Sequence, residues 1–272
     1  MPDLNKLCVH TITTKPWDFA TACEKYAEAG VKGITIWRDA IEGIDSEQVK
    51  GLLKKHDLTL VSYCRGGFFP AVDEKKRQEA IADNIRMVEE AAAIGAPMIV
   101  LVCGADPKQS LETSRNQIVA GIEATLKVAE KYNVKLAIEP LHPMYAGDRS
   151  AVNDLKTATE MVEKINHPLV GVAVDVYHLW WDPHLEEEIY RCGMTDKLFA
   201  FHICDWKVPT TDMLLDRGLM GEGCIDVPRI RSWVEHAGFN GFNEVEIFSN
   251  AYWEMPQEEF LEKIIEGYKN HS

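Results

Sequence analysis

Strand-like and helix-like segments alternate eight times along this chain, and no other feature narrows its fold so far. Apolar runs at 7–9, 34–37, 58–64, 98–103, 136–138, 170–174, 198–201 and 242–248 read as strands. Between them, apolar residues recur at helical spacing over 17–30, 46–56, 74–94, within 111–132, and over 152–165, 185–192 and 227–237; a last helix over 260–268 closes the chain. Strands this short and this apolar suit a parallel sheet covered on both faces. No composition break and no Pro/Gly/Ser linker interrupts the rhythm, so residues 1–272 read as one domain.

Eight such units in 272 residues match the size of a TIM barrel, and an α/β fold of the (β/α)8 type is expected. A doubly wound open sheet is the competitor. It would usually place a glycine-rich turn after its first strand, and the residues from His10 to Thr14 contain none. The seven cysteines are odd in number and form no CxxC. Cys8, Cys64, Cys103 and Cys204 lie in apolar runs, where they read as small core side chains in a reducing compartment. No signal peptide or membrane span is legible, so a cytoplasmic protein is expected. A net charge of −14 repels phosphate backbones and argues against nucleic acid as a partner.

In a barrel of this type the chemistry sits at the C-terminal ends of the strands. The stretch 171–181 delivers Asp175 and His178 where the sixth strand should end. An aspartate after such an apolar run is costly to bury alone, and it either caps the next turn or has a charged partner. The fifth strand ends in Glu139, the seventh in His202, and the eighth carries Glu244 and Glu246. Carboxylates so gathered would repel one another unless a divalent cation relieved them. Mixed oxygen and nitrogen donors without thiolate suit Mn2+, Mg2+, Co2+ or Zn2+. Glu244 and Glu246 share one face of the strand, so the pattern leaves both in play. Glu246 lies nearer the strand's end and is preferred.

The motifs IEPLHP (138–143), VDVYH (174–178), FHICDWK (201–207), GEG (221–223) and VEIF (245–248) together resemble the xylose-isomerase-like TIM-barrel superfamily. That superfamily holds sugar isomerases and epimerases and the type IV apurinic endonucleases. The ending at 245–253 is most similar to inosose isomerase and related epimerases, among them the D-tagatose and D-psicose 3-epimerases. The resemblance implies one bound divalent metal ion, Mn2+ first, held by Glu139, Asp175, His202 and Glu246. It implies that Glu139 and Glu246 act as acid and base, that His178 faces substrate, and that Glu244 is a supporting residue. The implied activity is isomerisation or epimerisation of a keto-sugar or inosose through an enediolate, with a lyase or dehydratase on keto-sugars or keto-glycosides as the alternative. The endonuclease reading is disfavoured. Gly218 stands where that pattern has a histidine, and neither the fourth strand nor the turn after the third supplies one.

His10, Trp37, Arg65, His142, Lys207 and Arg217 are further candidates for substrate contact. Arg65 precedes two glycines that let a ligand approach the backbone. Lys207 and Arg217 are placed either to meet an anionic group or to pair with Asp205 or Asp216. Trp180 and Trp181 follow the sixth strand and are candidates for a subunit contact, which would make a homo-oligomer. The expected partner is a small sugar.

Overall fold

A computed structural model describes residues 2–272. Ten strands form among the described residues, eight of them in the barrel: β1 (Leu7–His10), β2 (Gly33–Trp37), β3 (Thr59–Gly67), β4 (Met98–Val102), β5 (Lys135–Glu139), β6 (Val170–Asp175), β7 (Leu198–Ile203) and β10 (Asn243–Val245). They close in the order β1-β10-β7-β6-β5-β4-β3-β2, every pair parallel. The chain is therefore the single-domain (β/α)8 barrel that its alternation predicts.

The helices start where short polar side chains can satisfy free backbone amides. Asp18 caps α1 (Phe19–Glu28), Asp45 caps α2 (Ser46–Lys55), Asp73 caps α3 (Glu74–Ile94), Ser110 caps α4 (Leu111–Tyr132) and Asp154 caps α5 (Leu155–Ile165). Each cap contributes about 1 kcal/mol. The remaining helices are α6 (Val176–Leu179), α7 (Leu185–Gly193), α8 (Val227–His236), α9 (Asn250–Glu254) and α10 (Gln257–His271). No helix among the described residues is long and apolar enough to cross a membrane.

Two apolar clusters build most of the core, and a third, small one joins Val102, Leu141 and Tyr145. The largest lies between strands and helices. The second fills the barrel, where Ala137, Ala173 and Ala200 of three adjacent strands meet Cys64, Met98 and Val100. Six cysteines, the four read from apolar runs among them, are buried and unpaired.

The eighth barrel strand is shorter than the apolar run 242–248 predicts. Pairing stops at Val245. Beyond it the chain is stitched down by a side chain: Thr13 Oγ1 donates to the Val245 carbonyl at 3.1 Å and accepts from the Ile247 amide at 3.0 Å. Also absent from the sequence reading is a two-stranded antiparallel ribbon, β8 (Asp205–Trp206) with β9 (Arg217–Gly218). It stands above the barrel mouth, and it carries Arg217.

Candidate metal and active site

Register converts sequence into a site here. Asp175 lies beside His202, which in turn has Glu244 opposite on β10; Glu139 ends β5 beside Val102. Glu246 is one residue past the last paired position of β10. The result is that Glu139, Asp175, His202 and Glu246 each aim a ligand-capable atom at one point, all within 4.8 Å of one another. All four side chains are buried.

Asp175 answers both readings made of it. One oxygen accepts from the Tyr177 amide at 2.8 Å and caps α6. The other faces inward, 3.2 Å from Arg217 Nη1 and 3.6 Å from His178 Nε2. Burial pushes its carboxyl up to about 7, against the pull of Arg217 and with the push of Glu246 and Glu139. Glu246 moves the other way. Burial would raise it, but Arg217 above all, with His10, holds it well below the usual carboxylate range. Arg217 Nη1 donates to Glu246 Oε2 at 2.8 Å, and its guanidinium lies over the rings of Tyr177 and Phe248.

Whether this set fits a divalent cation is tested by its unmade bonds. His202 Nδ1 lies 2.9 Å from Glu139 Oε1, yet neither atom has a partner in hydrogen-bonding geometry. Buried polar atoms are almost always satisfied, and such pairs need an account. Three carboxylates and an imidazole, with Glu139 Oε1 and both imidazole nitrogens left without hydrogen-bond partners, form the oxygen-rich donor set that hard or borderline divalent ions take. The residues fit.

A second carboxylate lies one layer deeper. Glu244 Oε2 accepts from Thr35 Oγ1 at 2.6 Å and Ser62 Oγ at 3.2 Å, and lies 3.1 Å from His10 Nε2. It also lies 3.8 Å from His202 Nε2. His202 thus has one nitrogen toward Glu139 and the other toward Glu244. Burial works against a charge on His202, but Glu244 and Glu139 together raise it to about 10.

The other predicted contacts divide. Trp37 and Arg65 line a cavity of about 1150 Å³ at the mouth. His10 does not reach it; it is fully buried beneath the cluster, with Nδ1 accepting from Trp37 Nε1 at 3.3 Å and lying 3.3 Å from Glu246 Oε1. His178 sits behind Arg217, Nε2 to Nη2 3.3 Å, and burial followed by Arg217 drives its basicity well down. His142 packs against Trp206 and Trp181. Lys207 pairs with Asp216 at 3.1 Å and covers Tyr252. Trp181 donates to the His178 carbonyl at 2.8 Å, and Trp180 packs on Trp206, which gives both a role within the chain. Asp205 spends its carboxylate on four amides, those of Trp206, Gly221, Gly223 and Ile225, and so serves the loop alone. The sequence reading missed Arg149, which lines the mouth cavity from an irregular loop.

The chain is 44% identical to a protein of Sinorhizobium meliloti 1021, with a TM-score of 0.95 and 99% of each chain covered. It is 28% identical over 201 residues to the inosose isomerase of Bacillus subtilis (strain 168), covering 72% of this chain and 69% of that one. The IolI protein, solved with a bound zinc atom, superposes with a TM-score of 0.85 at 24% identity over 97% of this chain and 96% of that one. The family model of the xylose isomerase-like TIM barrel matches residues 23–270, and the chain belongs to that family.

Proposed function

We propose that this protein is a sugar isomerase or epimerase that works with one divalent metal ion held by Glu139, Asp175, His202 and Glu246. The observation that carries the reading is the convergence of these four buried side chains, with Glu139 Oε1 and His202 Nδ1 left without hydrogen-bond partners. The inosose isomerase relative and the zinc atom of the IolI protein support it.

When bound, the ion supplies Lewis acidity that polarises the substrate carbonyl and offsets the negative charge that develops on it. Everything else falls to the chain. Glu139 and Glu246 approach the mouth from different sides, with β6 and β7 between their strands in the barrel order. One of the pair removes the proton from the carbon beside the carbonyl, and the other returns a proton to the resulting enediolate. Return to the opposite face of the same carbon is epimerisation; return to the neighbouring carbon is isomerisation. Glu246 is kept ionised by Arg217 and His10, as a base must be. Burial keeps water from quenching the intermediate.

The test is solvent-deuterium incorporation into ketoses and inososes by NMR, with Mn2+-loaded and chelator-treated protein side by side. Deuterium should enter a carbon next to the carbonyl only with the loaded protein. Equal exchange by the chelated protein would remove the metal from the proposal, and no exchange with any keto-sugar would remove the isomerase itself.

A further inference from the structure

We propose that the mouth cavity selects keto-sugars carrying an anionic oxyanion group, a phosphate or a carboxylate, which Arg65 and Arg149 clamp from two sides. The inference rests on the isomerase/epimerase reading of the site and names its substrate class.

Three arginines line the cavity in a protein whose net charge is −14; Arg38 is spent on carboxylates, and Arg65 and Arg149 are not. Arg38, Arg191 and Arg217 each hold carboxylates. Arg65 and Arg149 take part in no ion pair and no side-chain hydrogen bond among the described residues. Their neighbours are aromatic faces: the Arg65 guanidinium lies 5.4 Å from the Trp37 ring and 5.2 Å from that of Phe68, and Arg149 lies 5.4 Å from that of Tyr145. Aromatic faces orient a guanidinium without consuming its hydrogen-bond donors. Both side chains are half-buried. Burial, and then the like charge of Arg149, pushes the basicity of Arg65 down, so the two cations already feel each other.

The acidic groups of the cavity do not cancel them. Glu90 is taken by Arg38 and by the Tyr63 hydroxyl. Asp39 and Glu42 lie on the exposed outer lip, where water screens them. Deeper in, Arg217 already compensates Asp175 and Glu246.

Both arginines are also held in place by their backbones. The β3–β4 register slips between Cys64 and Gly66, so Arg65 is the extra residue of a bulge, a device that re-aims a side chain. The turn that follows is locked. Asn84 accepts from the Gly67 amide and donates to the Gly67 carbonyl, both at 2.7 Å. Gly67 has φ +107°, and a Cβ there would meet the Val102 carbonyl oxygen at 2.0 Å. Arg149 is pinned in the same way: its carbonyl accepts from the Gly104 amide at 2.9 Å, and Gly104 bridges to Ser150. Two pre-set guanidinium groups with free donors are what recognition of phosphate or carboxylate requires.

The experiment is calorimetric titration of the Mn2+-loaded protein with D-fructose, D-fructose 6-phosphate and D-fructuronate. These probes share a ketose frame and differ in the terminal group. At least one anion should bind about 10- to 100-fold more tightly than the neutral sugar. The stronger of the two tells phosphate from carboxylate. Arg65→Gln and Arg149→Gln should each shrink that ratio, while Arg149→Lys, which keeps the charge, should retain part of it; thermal melts identify any variant that has not folded. Anions that bind no better than fructose, or a preference that survives in both Gln variants, would overturn the clamp. Deuterium exchange on the same samples reports separately on the isomerase. Tight anion binding without exchange leaves the clamp and removes the isomerase, whereas exchange on fructose without anion preference does the reverse.

Discussion

Glu244 and Glu246 stand two residues apart on the same face of the same chain segment, and their surroundings differ in kind. Glu244 is ringed by the hydroxyls of Thr35 and Ser62 and by two imidazoles, His10 and, further off, His202. Glu246 is held by charge, from the Arg217 guanidinium and the adjacent His10. In the lower layer the carboxylate is satisfied; in the upper layer Glu139 and His202 keep unsatisfied atoms. Strand periodicity places both glutamates on the inner face, but depth decides their chemistry. A buried group with its hydrogen bonds complete is scaffold, and one with atoms to spare is available to a ligand.

The sharpest way to break this contrast is to neutralise each layer in turn. Glu246→Gln and Glu139→Gln should each lower deuterium exchange by about 100- to 10,000-fold, the usual worth of a general acid or base. Glu244→Gln should leave measurable exchange. Should Glu244→Gln abolish exchange as fully as Glu246→Gln, the two layers are one functional unit.

A smaller effect is expected on metal affinity. Glu244 Oε2 lies 3.8 Å from His202 Nε2, on the side away from Glu139. A group there orients an imidazole that binds metal through its other nitrogen, and its loss typically costs about 10- to 100-fold in affinity. Competition against a chelating indicator should place Glu244→Gln in that range. An unchanged affinity would confine Glu244 to holding the barrel interior together.

A further effect concerns pH. Burial raises Asp175 to about 7, above the 3.8 it has when unfolded. An acid whose folded value is raised is at home in its neutral form. Its cost is absent below the unfolded value and grows as pH rises toward 7, by at most about 1.4 kcal/mol per unit. Metal-free Asp175→Asn should therefore melt close to wild type near pH 4 and above it near pH 8, and added Mn2+ should reverse the order. A metal-free Asp175→Asn that melts lower throughout would mean that Arg217 and the α6 cap outweigh the burial cost.

Glu139, Asp175 and His202 were legible in the sequence because each closes an unbroken apolar strand, and strand ends in a barrel converge. Glu246 was harder. Residue pattern alone did not separate it from Glu244; the ladder stops at Val245, and Thr13, far away in sequence, bonds the segment beyond. His10 read as a substrate contact because it ends a strand, but β1 is short, and the residue stops one layer beneath the mouth. Arg149 left no local signal. It reaches the cavity through a bridge between Gly104 and Ser150, and no periodicity encodes a contact across that span. The ribbon carrying Arg217 is two residues long on each side, too short for any pattern to mark.

That ribbon limits how the chain can be recombined. Arg217 reaches down from outside the barrel and provides the positive charge on which Asp175 and Glu246 rest. The loop joining β7 to α8 is therefore not a freely exchangeable module. A graft of that loop from another barrel must bring its own cation to the same spot, or the recipient inherits two uncompensated acids in its interior.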